Sequence, residues 1–332
     1  MSEIPKTLLL IDGNYYLYRS FFAIPIRDLK SPNGHPANAV FGFSRAVRKM
    51  LADVQPTHGA VLWDAGLPAR RMALQPDYKQ QRPPKPPELK AQEEPIQRMC
   101  SYQGLRSLSM ESAEADDLIA SYAKAAPNET KVVIATVDKD IYQLVSPNVR
   151  IYSTTKADFP VPPPAEVAKF ILLGPEEVEK KWGIPPSSIG DVLSLTGDSA
   201  DNIPGVRGIG LKTAVKLIQE FGSIEHLLQN LDRVAKVSLS EKLIAGIPIL
   251  QSNREMIRLD DHLPLSASWA DLRIVTDRPA LIDFFQDFGF KSLLKDLTQE
   301  ATALEECDLF SQGTCENPSL EAEKTQQGEL FS

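Results

Sequence analysis

The chain has 332 residues, 42% hydrophobic and 24% charged, enough for a sizeable core in one large or two modest domains. Its formal charge of −8 would disfavour a polyanionic partner, but from Asp296 onward nine acids face one base, so the preceding body is electrically balanced. Cys100, Cys307 and Cys315 form no Cys-x-x-Cys pair, which argues against a disulfide or zinc framework and suits a reducing cytosol. The four scattered histidines leave little basis for histidine catalysis.

The short apolar run after Lys6 cannot serve as a signal peptide, and no run approaches transmembrane length. Thr7–Asp12 reads as a buried strand, followed by a Gly13-Asn14 turn and an aromatic stretch over residues 15–22. Residues 38–51 carry helical periodicity through Val40, Phe41, Phe43, Val47, Met50 and Leu51. Residues 59–63 read as a second buried strand ending at Asp64. Residues 65–90 are basic (Arg70, Arg71, Lys79, Arg82, Lys85, Lys90) and proline-broken, and read as a mobile excursion from the sheet. A helix then starts near Ser112, the expected N-cap, with Glu114, Asp116 and Asp117 in its first turn, where the helix dipole favours negative charge. An ordinary solvated helix start carries such acids too.

Residues 132–137 read as a third strand, followed by Asp138 and Asp140, and a surface proline run follows at 159–164. Residues 191–221 read as helix, loop, helix around Gly205-Val-Arg207-Gly208-Ile-Gly210-Leu-Lys212-Thr213, with the second helix starting at Thr213. Its glycines allow a tight hairpin whose backbone approaches a partner, and the first N–H groups of the following helix can hold a phosphate. Residues 264–295 close the body, and from about residue 298 a polar, acidic tail is expected to be disordered.

Strands alternating with helices imply an α/β domain with a largely parallel sheet, so Asp12, Asp64 and Asp138 would emerge at strand carboxyl ends, where such sheets collect ligands. With Glu114, Asp116, Asp117, Asp140, Asp198 and Asp201 they make an all-oxygen donor set that favours Mg²⁺ or Mn²⁺. So many acids repel unless cations neutralise them. Two ions suit both oxygens exchanged at a phosphodiester, and Lys79 or Arg82 could steady the phosphate charge. Metal-dependent cleavage of nucleic acid follows from these ingredients, whereas the end or structure cleaved does not.

The motifs Leu10-Ile-Asp-Gly13, Phe41-Gly-Phe, Trp63-Asp64, Asp77-Tyr-Lys-Gln-Gln-Arg-Pro83, Glu114-Ala-Asp-Asp117, Asp138-Lys-Asp140 and residues 196–210 together resemble the 5′→3′ exonuclease domain of bacterial DNA polymerase I and the related flap endonucleases. The resemblance spans about residues 7–294. It implies a PIN-like 5′ nuclease core with a mostly parallel sheet flanked by helices over 1–180, including a helical arch at about 65–100. A helix–three-turn–helix DNA-binding region would follow over 181–297, and the tail over 298–332. It further implies a two-metal-ion enzyme acting on DNA with a 5′ flap, nick or 5′ end, RNA-primed ends included, in replication and repair.

Carried over residue by residue, Asp12, Asp64, Glu114 and Asp116 belong to a first metal site with Asp117 beside it, and Asp138, Asp140, Asp198 and Asp201 to a second. Tyr78, Lys79 and Arg82 are the expected catalytic residues, Lys79 and Arg82 matching the basic pair at the arch base. Gly205, Arg207, Gly208, Gly210, Lys212 and Thr213, with Arg19 and Arg70, are the expected DNA contacts, and the resemblance implies K⁺ as a candidate ion at the hairpin carbonyls. The chain departs from the family in a proline-rich insertion at 156–172 and in having no polymerase after residue 294. It ends in a segment resembling the short Gln-x-x-Leu-Phe peptides that dock on the sliding clamp, with Gln327, Leu330 and Phe331 as anchors. A monomeric, cytoplasmic and nucleoid-associated enzyme is expected.

Overall fold

A computed structural model describes residues 6–159 and 170–299. In chain order the elements are β1 (Thr7–Asp12), α1 (Gly13–Ala23), α2 (Asn38–Val54), β2 (His58–Ala65), α3 (Ala69–Leu74), α4 (Pro87–Lys90), α5 (Glu93–Tyr102) and β3 (Arg106–Glu111). Then come α6 (Ala115–Ala125), β4 (Lys131–Ala135), β5 (Val149–Ser153), β6 (Ile171–Leu173), α7 (Pro175–Trp182) and α8 (Ile189–Thr196). A small ribbon of β7 (Gly197–Asp198) and β8 (Ile203–Pro204) precedes α9 (Leu211–Phe221), α10 (Ile224–Gln229), α11 (Val237–Ile257) and α12 (Arg278–Asp287).

The strands order as β3-β2-β1-β4-β5-β6 in a mixed, mostly parallel sheet flanked by helices. β1 pairs parallel with β4, with Leu9 opposite Val133, and β4 pairs parallel with β5. Antiparallel β6 closes that edge. All six residues of β1 are buried, as are Val132, Val133, Ile134 and Ala135 of β4. Continuous apolar runs of this kind suit strands covered on both faces. Full burial of each Leu or Ile side chain contributes about 1.5–3 kcal/mol.

The chain divides into two compact units. One contains the residues up to 14, then 60–84 and 108–269, and so most of the sheet and α6 to α11. Within it α6 packs on β1, and α8 packs on α9 and α11. Asn253 of α11 is 2% exposed and donates to the carbonyls of Ser194 and Pro204 at 2.9 and 2.7 Å, fixing the entry to the 205–210 hairpin.

The other unit contains 15–59, 85–107 and the residues from 270 onward. There α5 packs against α2 and α12 around Phe43, Met50, Ile96, Met99, Phe285 and Phe290. Gln92, 2% exposed, holds this unit's entry turn: its Oε1 accepts from the backbone N–H of Ala39 and Val40, and its Nε2 donates to Asn38 Oδ1. No described helix is long and apolar enough to cross a membrane.

Two local expectations are corrected. Ser112 is not the helix cap: it lies at φ +61°, and Glu114 occupies the N-cap position of α6, so Glu114 stands before the first turn rather than in it. The cap interaction comes from another strand, as Asp64 Oδ1 accepts from Ala115 N at 2.8 Å. The 65–90 segment carries α3 and α4 and is mostly exposed, but it buries Arg71, Tyr78 and Leu89. Polar groups of residues 75–81 bind the turn at 199–202. Gln75 Nε2 donates to Asn202 O, Gln81 Nε2 to Ser199 O, and Lys79 N to Asp201 O at 3.2 Å. The helix expected from Thr213 begins at Leu211, and the 160–169 part of the insertion lies outside the described residues.

Candidate active site

The site is built within the first unit. Asp12 ends β1, buried, and its Oδ2 accepts from Thr136 Oγ1 at 2.9 Å. Asp64 stands at the exposed end of β2 against the N-terminus of α6, where the positive end of the helix dipole favours a carboxylate. Glu114, Asp116 and Asp117 follow at that same terminus. After β4, Thr136 Oγ1 accepts from Asp138 N, and Asp138 Oδ1 accepts from Asp140 N at 2.9 Å, so this turn is held by its own side chains. Asp198 Oδ1 caps the turn over Ser199–Asp201 by accepting from Ala200 N at 3.0 Å.

The basic segment supplies counter-charges. Tyr78 is 3% exposed, and its hydroxyl lies 3.0 Å from Asp201 Oδ2 and 3.2 Å from Glu114 Oε2. With one proton to donate, it serves the nearer Asp201 and leaves Glu114 at contact distance. Lys79 pairs with Glu114 Oε1 and lies 3.5 Å from Asp201 Oδ2, while Arg82 pairs with Asp201 Oδ1. Lys79 holds this position in the left-handed region, at φ +55°.

Two cations not assigned from sequence complete the set. Arg71, 4% exposed, reaches Glu114 Oε2 at 2.5 Å and both oxygens of Asp117 at 2.6 and 3.0 Å. Lys139 reaches Asp198 Oδ1 at 3.1 Å. Arg71 was legible only as one of six bases in a basic run. Its neighbour Arg70 instead donates to the carbonyls of Glu255 and Arg258 at the end of α11. The other expected DNA contact, Arg19, lies on α1 in the second unit, exposed, with its guanidinium 5.7 Å from the Tyr16 ring centroid.

The electrostatics follow from this geometry. Burial, then the charges of Asp138, Asp12 and Asp64, push Asp116 well above the usual carboxylate range. Burial also raises Asp138, against the hydrogen bond it accepts from Asp140 N. Burial and the charges of Asp138 and Asp198 push Asp140 up to about 8. Burial lowers the Arg71 and Lys79 values, but Asp117 and Glu114 beside Arg71, and Glu114 and Asp201 beside Lys79, reverse the shift and keep both charged. Burial and the neighbouring Glu114 and Asp201 charges raise Tyr78, so it stays a hydroxyl donor.

Among the described residues, no three carboxylates are drawn into ion-holding geometry, because Glu114, Asp117, Asp198 and Asp201 face protein cations instead. The donor set nevertheless fits a hard cation. It is all oxygen, three of its acids are held towards the protonated form by burial and by one another's charge, and buried Asp140 Oδ1 has no hydrogen-bond partner.

In the same unit, the 205–210 hairpin leads into α9. A Cβ on Gly205 would lie 2.1 Å from Thr196 O, and Gly208 sits at φ +79°, so both need glycine. Gly210 has open space around it. Arg207, Gly208, Gly210 and Lys212 are exposed and Thr213 half-buried, and Lys242 of α11 reaches the hairpin beside Gly208, a further cation not assigned from sequence. Gln327, Leu330 and Phe331 lie outside the described residues.

Residues 7–183 match the family described as 5′-3′ exonuclease, N-terminal resolvase-like domain, and residues 184–279 match its 5′-3′ exonuclease, C-terminal SAM fold. DNA polymerase I of Bacillus subtilis is 35% identical over 91% of this chain, which spans only 33% of that relative's length. A 5′-3′ exonuclease of Aquifex aeolicus is 34% identical over 88% of this chain and 95% of its own. In fold, the chain is similar to the phage T5 flap endonuclease solved with DNA and metal ions (TM-score 0.58, 19% identity, 91% of this chain and all of that one). It is also similar to the catalytic core of Rad2 solved with a DNA substrate (TM-score 0.55, 14% identity, 85% and 87%). The family matches run through both parts of the body that hold the carboxylates and the hairpin, and the chain belongs to the 5′-3′ exonuclease family of nucleases.

Proposed function

We propose that the protein is a structure-selective, divalent-metal-dependent 5′→3′ exonuclease and flap endonuclease, cutting DNA at 5′ ends, nicks and flaps, RNA-primed ends included. One observation carries the reading: the acids at the ends of β1, β2 and β4, at the start of α6 and in the 198–201 turn share one unit with Tyr78, Lys79 and Arg82.

Asp12, Asp64, Glu114 and Asp116 would hold one Mg²⁺ ion, and Asp138, Asp140, Asp198 and Asp201 a second, with Mn²⁺ able to substitute. When bound, such ions supply Lewis-acid stabilisation to the attacking and leaving oxygens of a phosphodiester. The chain's own residues do the remainder. Lys79 and Arg82 are positioned to turn from Glu114 and Asp201 to the non-bridging oxygens of the scissile phosphate, where charge develops. Tyr78 stays protonated and holds Asp201 by its hydroxyl. Asp117 has both oxygens on Arg71 and also accepts from Asp260 N at 2.8 Å, so it acts as a counter-ion rather than a ligand.

The hairpin would grip duplex phosphates through its backbone and through Arg207, Lys212 and Thr213, reading no base, with K⁺ at its carbonyls. Arg70 is assigned to the α11 terminus, and Arg19 would contact a DNA phosphate. The enzyme would work as a cytoplasmic, nucleoid-associated monomer, and the 327–331 peptide would dock on the sliding clamp.

The test is cleavage of a 5′-labelled flap duplex in Mg²⁺, beside single-stranded RNA, by wild type and Asp138→Ala. Junction-specific cutting that disappears in the variant is expected. Cutting of single-stranded RNA alone, or full activity in the variant, would overturn the reading.

A further inference from the structure

Every donor of Arg71 is used. Its Nε donates to Met256 O at 2.8 Å, Nη1 to Glu114 Oε2 and Asp117 Oδ2, and Nη2 to Asp117 Oδ1 and, at 3.4 Å, to Arg258 O. One planar fork thus joins three elements: α3, which carries it, the N-terminus of α6, and the carbonyls at the end of α11. A cation also suits that end of α11, where the helix dipole is negative. Glu114 Oε2 is held by this fork, leaving Oε1 to face Lys79.

We propose that Arg71 is a positioning residue for the reaction: it fixes which oxygen of Glu114 is presented to the site and keeps Asp117 out of it as a counter-ion. This rests on the proposed metal-dependent reading. Arg71 touches neither substrate nor reacting atoms in this role. It acts through Glu114, as partners of a metal ligand do when they set its orientation. Lysine cannot replace it, because a point donor cannot span two carboxylates and two carbonyls together.

The test compares wild type, Arg71→Lys and Asp116→Asn. Mn²⁺ binding without DNA is followed by the paramagnetic resonance of free Mn²⁺, alongside melting temperature and kcat and KM on a flap duplex. Arg71→Lys is expected to bind Mn²⁺ about 10- to 100-fold more weakly and to lose kcat by a similar factor, with KM for DNA unchanged. A lower melting point with wild-type Mn²⁺ affinity and kcat would make Arg71 merely structural and overturn the inference. Removing one partner of a buried charge pair is strongly destabilising. Should Arg71→Lys not fold, the apolar pair Arg71→Met with Asp117→Leu is read instead, and wild-type Mn²⁺ affinity there overturns the inference equally. If wild type binds no Mn²⁺, or Asp116→Asn binds it as well as wild type does, the metal-site reading itself has failed.

Discussion

The carboxylate site and the 205–210 hairpin lie in one unit and are built on opposite terms. The site is assembled from five distant stretches of chain, is largely buried, and is specified by charge: Glu114, Asp117, Asp198 and Asp201 each face a protein cation, while Asp116, Asp138 and Asp140 are crowded by other acids. The hairpin is local, exposed, and specified by backbone. Gly205 fits against Thr196 O, Gly208 takes a left-handed turn, and Asn253 pins the ribbon from α11. The contrast teaches that the site should answer to changes of charge at constant shape, and the hairpin to added shape at constant charge.

The largest effect belongs to the site. Asp140→Asn changes one atom and removes a charge, and should lower flap cleavage by more than the roughly 100-fold seen for outer partners of a metal, measured under single-turnover conditions in Mg²⁺. Lys79→Ala should cost about 10²–10³-fold in kcat, as expected when a donor to developing charge is removed. Its KM should move far less than its kcat.

The same acids give the metal-free protein a pH signature. A carboxyl whose folded value is raised favours folding when protonated, so its contribution is present below its unfolded value and lost as pH rises through the folded value. For Asp140, raised to about 8, melting in EDTA should fall as pH goes from about 4 to 8. Divalent ions should reverse most of that loss at pH 8 and little of it at pH 5. A melting temperature that rises over the same interval with EDTA present would contradict this assignment.

At the hairpin the scale is smaller. Gly205→Ala pushes a methyl into a backbone carbonyl and should cost about 1–3 kcal/mol of stability, read by chemical denaturation, while Mn²⁺ affinity stays unchanged. Arg207→Ala and Lys212→Ala should each weaken DNA binding uniformly across sequences and reduce the salt dependence by about one ion. Gly210→Ala, with open space and an ordinary φ, should change stability by less than about 0.5 kcal/mol. An equal effect from Gly205→Ala and Gly210→Ala would break the distinction between them.

What was legible in the sequence follows the same divide. Asp12, Asp64 and Asp138 could be placed at strand ends because each follows a short apolar run: β1 ends at Asp12, β2 one residue past Asp64, and β4 three residues before Asp138. Arg71 could not be told from Arg70, since adjacent residues on a short helix face different ways and only tertiary packing selects the buried one. Ser112 looked like a cap because serine commonly is one, whereas the cap interaction came from Asp64, remote in sequence. Gly205 and Gly210 looked alike, because the contact that separates them is with Thr196 O, which only the folded hairpin brings against Gly205. Lys139 and Lys242 went unassigned for the same reason: each meets its partner only in the folded chain.

The proposed carboxylate site is short of positive charge until divalent ions fill it. Its most direct test is the melting temperature of Asp116→Asn against wild type at pH 8, in EDTA and then in excess Mg²⁺. The variant should melt higher than wild type in EDTA, because a carboxyl crowded by Asp138, Asp12 and Asp64 has been replaced by a neutral amide. It should gain little from Mg²⁺, whereas wild type gains clearly. A variant that melts lower in EDTA and is stabilised by Mg²⁺ as much as wild type would contradict the account.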